Sequence, residues 1–295
     1  MNHVLSGDKT LFFVSIFLFC TILGLYVGYN LIPEVGETNP LTGGSVDDPA
    51  GSLYILAVVL VSTVVLLLVL RFYRGRLLFL FLEIYIVFIG SFMVWQFVLF
   101  DILKTIPFVT QEQYMAGVII VSALTVAVRF IRRTFAVKNI TLAIAIAGAG
   151  GTLGSFMGFL PSLLLVVALG TYDIIAVFKT GHMIKLADQS RLREIPVMFE
   201  TPSKGIKTGA RRGVKKGKDV LGLGTGDIAI PLIFFVSILR TFRNWLPVLG
   251  AVVGATIGLG LTIYYVTQIR RVALPALPPI IGLSIGGFLV SLLLI

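Results

Sequence analysis

Charge is scarce in this chain. Only 13% of its 295 residues are Asp, Glu, Lys or Arg, against 57% hydrophobic. With a mean hydropathy of +1.00, a soluble domain of ordinary composition is excluded. Cysteine occurs once, at Cys20, which excludes a disulfide framework and any multi-cysteine metal site. The two histidines are His3, near the N-terminus, and His182, just outside an apolar run; neither has partners for a metal site or a triad. No cofactor and no metal are expected. A cleavable signal is missing too: Leu11–Ile32 is long enough to span a bilayer and lacks a small-residue cleavage site after it.

What the chain does have is apolar runs. Spans of about 20 residues with short loops leave room for roughly nine, and none for a separate soluble domain. Bounded by charges, the runs are Leu11–Ile32, Leu53–Leu70, Leu77–Phe100, Tyr114–Ile131, Asn139–Met157, Leu160–Thr180, Leu221–Leu239, Leu246–Ile269 and Val272–Leu294. Gly158 and Pro161 must supply a very tight turn between the fifth and sixth; merging those runs gives a helix too long for any bilayer. The expected fold class is an all-α polytopic membrane protein of nine transmembrane helices.

The net charge of +10 reports loop orientation in such a protein before it reports nucleic acid. Glu34, Glu37, Asp47 and Asp48 make the first connection acidic. The second carries Arg71, Arg74 and Arg76, the fourth Arg129, Arg132, Arg133 and Lys138, and the eighth Arg270 and Arg271. The sixth, Gly181–Val220, is long and strongly basic. With the N-terminus inside, all these basic loops are cytoplasmic, and only Lys104, Arg240 and Arg243 fall outside. The C-terminus is then outside. Within the sixth connection, KGIKTGARRGVKKGK at Lys204–Lys218 cannot bury enough apolar surface to fold alone; it reads as a mobile loop attracted to anionic lipid headgroups.

Two carboxylates lie inside apolar runs. Asp227 sits in LGLGTGDIAIPLIFF, Leu221–Phe235, about two helical turns from its start, and Asp173 in Ser162–Phe178. An ionisable group at such depth costs on the order of 3 kcal/mol or more, so a functional role is the default. The sixth span runs inward and the seventh outward, and each aspartate is about six residues from its inner end. Both therefore sit roughly 9–10 Å below the cytoplasmic interface, on adjacent antiparallel helices. Two close carboxylates in a low-dielectric site share one proton and titrate as a pair. One anion and one neutral acid suit water-mediated amide hydrolysis: the anion takes a proton from the attacking water, and the acid hydrogen-bonds to the developing oxyanion. Spacing leaves open which aspartate does which.

Gly222, Gly224 and Gly226 weaken the helix start and clear the approach to Asp227; ordinary close packing is the bland explanation. At the same inner face, Ala273–Pro279 carries three prolines, consistent either with irregular backbone lining a wet cavity or with a plain helix start.

Together these residues resemble a known family. Tyr172-Asp173 resembles the YD motif, Gly224-Thr225-Gly226-Asp227 the GxGD motif, and Pro275-Ala276-Leu277 the PAL motif of presenilins and signal peptide peptidases. The match covers roughly Asn139–Ile295, and the chain looks most like the archaeal presenilin homologues. The resemblance implies an intramembrane aspartyl endopeptidase with a presenilin-like fold and Asp173 and Asp227 as its catalytic pair. Pro275, Ala276 and Leu277 would shape the site and seat substrate. An unwound substrate would pair as a strand with backbone around Val220–Leu223 or Leu274–Leu277. Residues 1–138 would then be a four-helix scaffold, 139–295 the catalytic region and 181–220 its basic loop. The inferred orientation matches presenilins, which favours single-span substrates with their N-terminus outside. The expected setting is the cell membrane, with the site in the cytoplasmic half and lipids as partners. No nucleic-acid partner is expected, no accessory subunit is evident, and oligomeric state stays open.

The remaining polar residues have blander explanations. Glu83 pairs with, or snorkels toward, Arg71, Arg74 or Arg76. Tyr172 is adjacent to the site, its ring turned about 100° from Asp173. Gly148, Gly150, Gly151 and Gly154 in AGAGGTLG fit close helix packing better than a phosphate loop, which needs a Lys-Ser/Thr ending. A prepilin peptidase also uses a GxGD aspartate but does not predict the YD and PAL pairing. A secondary transporter or cation-leak channel is the alternative from another class, yet the first four spans carry no counterpart of either aspartate motif.

Overall fold

The computed structural model describes residues 2–72, 77–105, 110–132, 134–175, 198–201, 222–267 and 275–295. The basic run Lys204–Lys218, His182, Arg270, Arg271, Val220, Leu221 and Leu274 lie outside them. The described residues form nine helices and two short strands: α1 Asn2–Val35, α2 Ala50–Phe72, α3 Leu77–Leu103, α4 Gln111–Ile131, α5 Phe135–Ser155, α6 Phe159–Ile175, β1 Met198–Glu200, β2 Gly222–Gly224, α7 Gly226–Phe242, α8 Trp245–Tyr265 and α9 Leu277–Leu292. By length and composition, five contain stretches able to cross a membrane: Lys9–Val35, Leu80–Leu103, Gln111–Ile131, Phe135–Ser155 and Trp245–Tyr265.

Local chemistry sets several of the helix starts. Thr110 accepts from the Gln113 amide at 3.3 Å while the Gln113 side chain accepts from the Thr110 amide at 3.0 Å, a reciprocal capping box that opens α4. Thr134 and Asn244 cap α5 and α8 in the simpler one-sided way. Between α5 and α6 the chain turns in three residues, with the Gly158 amide donating to the Val46 carbonyl at 2.8 Å. Pro161 lies inside the first turn of α6, where its missing N–H costs nothing.

α7 is the axis of the bundle. α1, α5, α6, α8 and α9 all pack against it, and Leu232, Phe235, Val236 and Ile238 are fully buried. Glycines make that approach achievable. A Cβ at Gly24 or Gly150 would run into the Leu232 side chain, and one at Gly28 or Gly154 into Val236. Gly148 and Gly151 likewise abut the carbonyls of Gly90 and Gly24. The glycine run of α5 is a packing surface. α2, by contrast, packs chiefly on α6 and leaves an apolar cleft of about 250 Å³ lined by Leu53, Leu56, Leu164, Leu165 and Ala168 among others.

Three features add to the reading of the sequence or depart from it. Among the described side chains Glu83 pairs with Arg129, at 2.7 Å; those of Arg71, Arg74 and Arg76 lie outside the description. Arg129 belongs to the last turn of α4, not to a loop, and is 4% exposed. The guanidinium also donates to the Lys138 carbonyl at 2.6 Å and to Thr141 at 2.8 Å. It thereby ties α3, α4 and α5 together, which proximity in sequence could not reveal. Second, the basic connection contains an ordered piece. Met198–Glu200 is a strand with Phe199 fully buried, because an apolar aromatic there has the helical core to enter. Third, the seventh apolar run does not begin as helix: Gly222–Gly224 is extended, and α7 starts only at Gly226. Its 17 residues rise about 26 Å, short of a hydrocarbon core of about 30 Å. The strand, at about 3.3 Å per residue, makes up the length.

Candidate active site

The site is assembled where α6 ends, α7 begins and α9 begins. Asp173 is on the last described turn of α6 and is 7% exposed. Asp227 is the second residue of α7 and half-buried. α6 and α7 are packed neighbours that run antiparallel, so the two aspartates stand at the same end of the pair. Asp227 is thus on the first turn of its helix rather than two turns in, because the glycine-spaced residues ahead of it are strand. Glycine costs a helix about 1 kcal/mol per residue, and β1 offers the extended backbone a partner.

That partner fixes the approach to Asp227. β1 and β2 are antiparallel, with Met198 opposite Gly224, Phe199 opposite Leu223 and Glu200 opposite Gly222. Phe199 and Leu223 share one face and are both buried in the main apolar cluster, so the sheet is anchored through that central pair. The Gly224 backbone lies against the Asp227 carboxyl. A Cβ at Gly224 would come within 3.1 Å of Asp227 Oδ2, so only glycine leaves this carboxyl its present room. Thr225, the N-cap of α7, makes no side-chain capping bond. Helix N-termini favour negative charge, and Asp227 occupies that position.

The proline-rich segment reaches the other aspartate. Pro275 and Ala276 precede α9, and Leu277 is its first residue. The Leu277 amide, one of the donors a helix start leaves free, points to Asp173 Oδ2 at 3.4 Å. Pro275 and Ala276 are irregular, while Pro278 and Pro279 sit in the first helical turn, where missing donors are tolerated. Ile281 of α9 packs at Gly170, one turn before Asp173. Tyr172 is half-buried beside the site. The Leu277 contact and the β1 partner strand were not foreseen; Phe199, a lone aromatic in a basic connection, was the one available signal for the second.

Two acids on facing helices, each touched by backbone from a glycine- or proline-rich segment, suit proton transfer during hydrolysis. Residues 14–295 match the model of the signal-peptide peptidase, presenilin aspartyl protease family. The chain belongs to this family. It is an aspartic-type intramembrane endopeptidase by membership, and a multi-pass integral membrane protein. The fold is shared with a presenilin family intramembrane aspartate protease solved in two crystal forms. In space group C222 the TM-score is 0.68 at 24% identity, covering 97% of this chain and 99% of that one. In space group P2 it is 0.65 at 25% identity, covering 96% of each. No curated protein matches the chain.

Proposed function

We propose that this family member hydrolyses peptide bonds within transmembrane segments of single-span membrane proteins, using Asp173 and Asp227 as a water-activating dyad. One observation carries the proposal: the two aspartates stand at matching ends of neighbouring helices, α6 and α7, with the Leu277 amide on one of them. One carboxylate takes the proton of the attacking water; the other carboxyl, protonated, stabilises the oxyanion.

Gly224 and Gly226 keep the approach to Asp227 free of side chains, and Leu223, Pro275, Ala276 and Leu277 line the place where substrate backbone is seated. An unwound substrate in lipid must find partners for its amides, and the extended Gly222–Gly224 segment supports strand addition as the means. The charge bias supports an N-terminus inside, a site in the cytoplasmic half of the cell membrane, and substrates with their N-terminus outside. On this reading α1–α4 are scaffold, residues 139–295 the catalytic region, and the basic connection a cytoplasmic loop.

The test is cleavage of a single-span reporter peptide in detergent by wild type, Asp173→Asn and Asp227→Asn. Each variant is expected to lose roughly 10²–10⁴-fold in rate while keeping wild-type helical content and thermal stability. Cleavage that survives either change removes that aspartate from the mechanism.

A further inference from the structure

The dyad works only if two separate helices hold their carboxylates level, and apolar side chains in lipid give little directional preference to a helix pair. α6 and α7 carry a polar device for this at the end remote from the aspartates. Ser162 of α6 and Ser237 of α7 meet hydroxyl to hydroxyl, and both are completely buried. One turn further out, the Phe159 amide, a free donor at the start of α6, donates to Thr241 Oγ1 of α7 at 3.0 Å.

These contacts and the dyad lie on one antiparallel register. From Ser162 to Asp173 is 11 residues along α6, and from Ser237 to Asp227 is 10 residues back along α7. From Phe159 to Ser162 is 3 residues, and from Thr241 to Ser237 is 4. At every rung the steps agree within one residue. A slip of one residue would displace a carboxylate by about 1.5 Å and turn it by about 100°, enough to misalign a proton transfer.

We infer that Ser162, Ser237 and Thr241 are positioning residues that set the α6–α7 register and so hold Asp173 and Asp227 at one depth. This rests on the proposed dyad. The hydrogen count separates positioning from mere stability. Ser162 Oγ also lies 2.8 Å from the Phe159 carbonyl, and Ser237 Oγ 2.8 Å from the Phe234 carbonyl. Two hydroxyl hydrogens therefore serve three contacts, and either serine alone still has an acceptor on its own helix. Removing one leaves no buried orphan, so folding is little affected while the link between the helices is lost.

The experiment has two arms on the full-length protein. In the first, Ser162→Ala, Ser237→Ala and the double variant are assayed with the single-span reporter peptide, and product masses are recorded. The expected result is kcat lowered roughly 3- to 20-fold, the worth of an interhelical hydrogen bond, with KM within twofold of wild type and additional cut positions among the products. In the second, Cys20→Ser, Asp173→Cys and Asp227→Cys are combined, and disulfide formation between the dyad positions is timed with and without the two serines. Cross-linking is expected to slow several-fold in their absence. Unchanged kcat and product masses, or unchanged cross-linking, would overturn the register assignment. A wild type that fails to cleave the reporter would sink the protease proposal alone, because the cross-linking arm reads the helix register without any activity.

Discussion

α7 and α2 are both apolar helices, yet they live in different solvents. α7 is wrapped by five other helices and buries nearly every residue from Ile228 to Leu239. α2 leans chiefly on α6 and exposes Val58, Val61, Val64, Val65 and Leu68. In a soluble protein the second pattern would be a liability; in a membrane, lipid takes the place of protein neighbours. The difference teaches that apolarity in this chain marks residence in the bilayer, while position in the bundle decides what a side chain contributes. α7, the less uniformly apolar of the two, bears Asp227 on its first turn and Arg240 on its last, and its central place holds both.

The largest effect is expected at the centre of α7. Phe235 is fully buried and meets Phe17 of α1 edge to face, ring centroids 6.3 Å apart. Phe235→Ala should cost about 3–5 kcal/mol through lost contacts and an unfilled cavity, measured as resistance to SDS or thermal unfolding in detergent. A loss under about 1 kcal/mol would remove the distinction between α7 and the lipid-facing helices.

Next comes the ion pair that ties the scaffold. Arg129→Met strips the Glu83 carboxylate of its partner and the Lys138 carbonyl and Thr141 of a donor. Breaking a buried pair from one side costs about 3 kcal/mol or more. Replacing both partners, as Glu83→Leu with Arg129→Met, should recover most of that loss. If the double variant is as unstable as the single one, the unpaired charge is not the source of the cost.

How much of this was legible in sequence follows from the range of each interaction. That Asp173 and Asp227 stand at matching ends of two helices came from counting residues to the span ends, and the adjacency of α6 and α7 from their order along the chain. Partners far apart in sequence stayed hidden. Nothing near Gly222 announces Met198, because a three-residue strand has no period to detect. Glu83 has three arginines within a few residues of its helix start, yet it also meets an arginine 46 positions away. Burial was the least legible property: when nearly every residue of a span is apolar, the amphipathic stripe that marks a buried face in soluble proteins disappears. Glycines kept some of that information. Gly24 and Gly28 on α1 and Gly150 and Gly154 on α5 mark the faces turned toward α7, since a side chain there would displace Leu232 or Val236.

This makes a glycine pair the sharper, smaller test. Gly154→Ala sets a Cβ against Val236 and the Ile233 backbone, and should destabilise by about 1–3 kcal/mol through overpacking. Gly117 on α4 has nothing within 4 Å of the same added atom; Gly117→Ala should be neutral or stabilising by up to about 1 kcal/mol from helix propensity. Equal effects at the two sites would mean that helix propensity, not proximity to α7, governs both.

The smallest effect is expected on α2, and its smallness is what the comparison requires. Val61 is 62% exposed, so in the bilayer its methyls touch lipid in both the folded protein and any state in which α2 has detached from α6. Val61→Ala removes contacts common to both states and should shift stability by no more than about 0.5 kcal/mol. Leu165, which lines the cleft between α2 and α6 and is 1% exposed, is the matched control. Leu165→Ala exchanges protein contacts for empty space and should cost about 2–5 kcal/mol. A large loss at Val61 would mean that a further surface covers α2 in the membrane, a second copy of the chain being the first to look for by cross-linking. A small loss at both positions would mean that α2 is held by its ends rather than by its packing on α6.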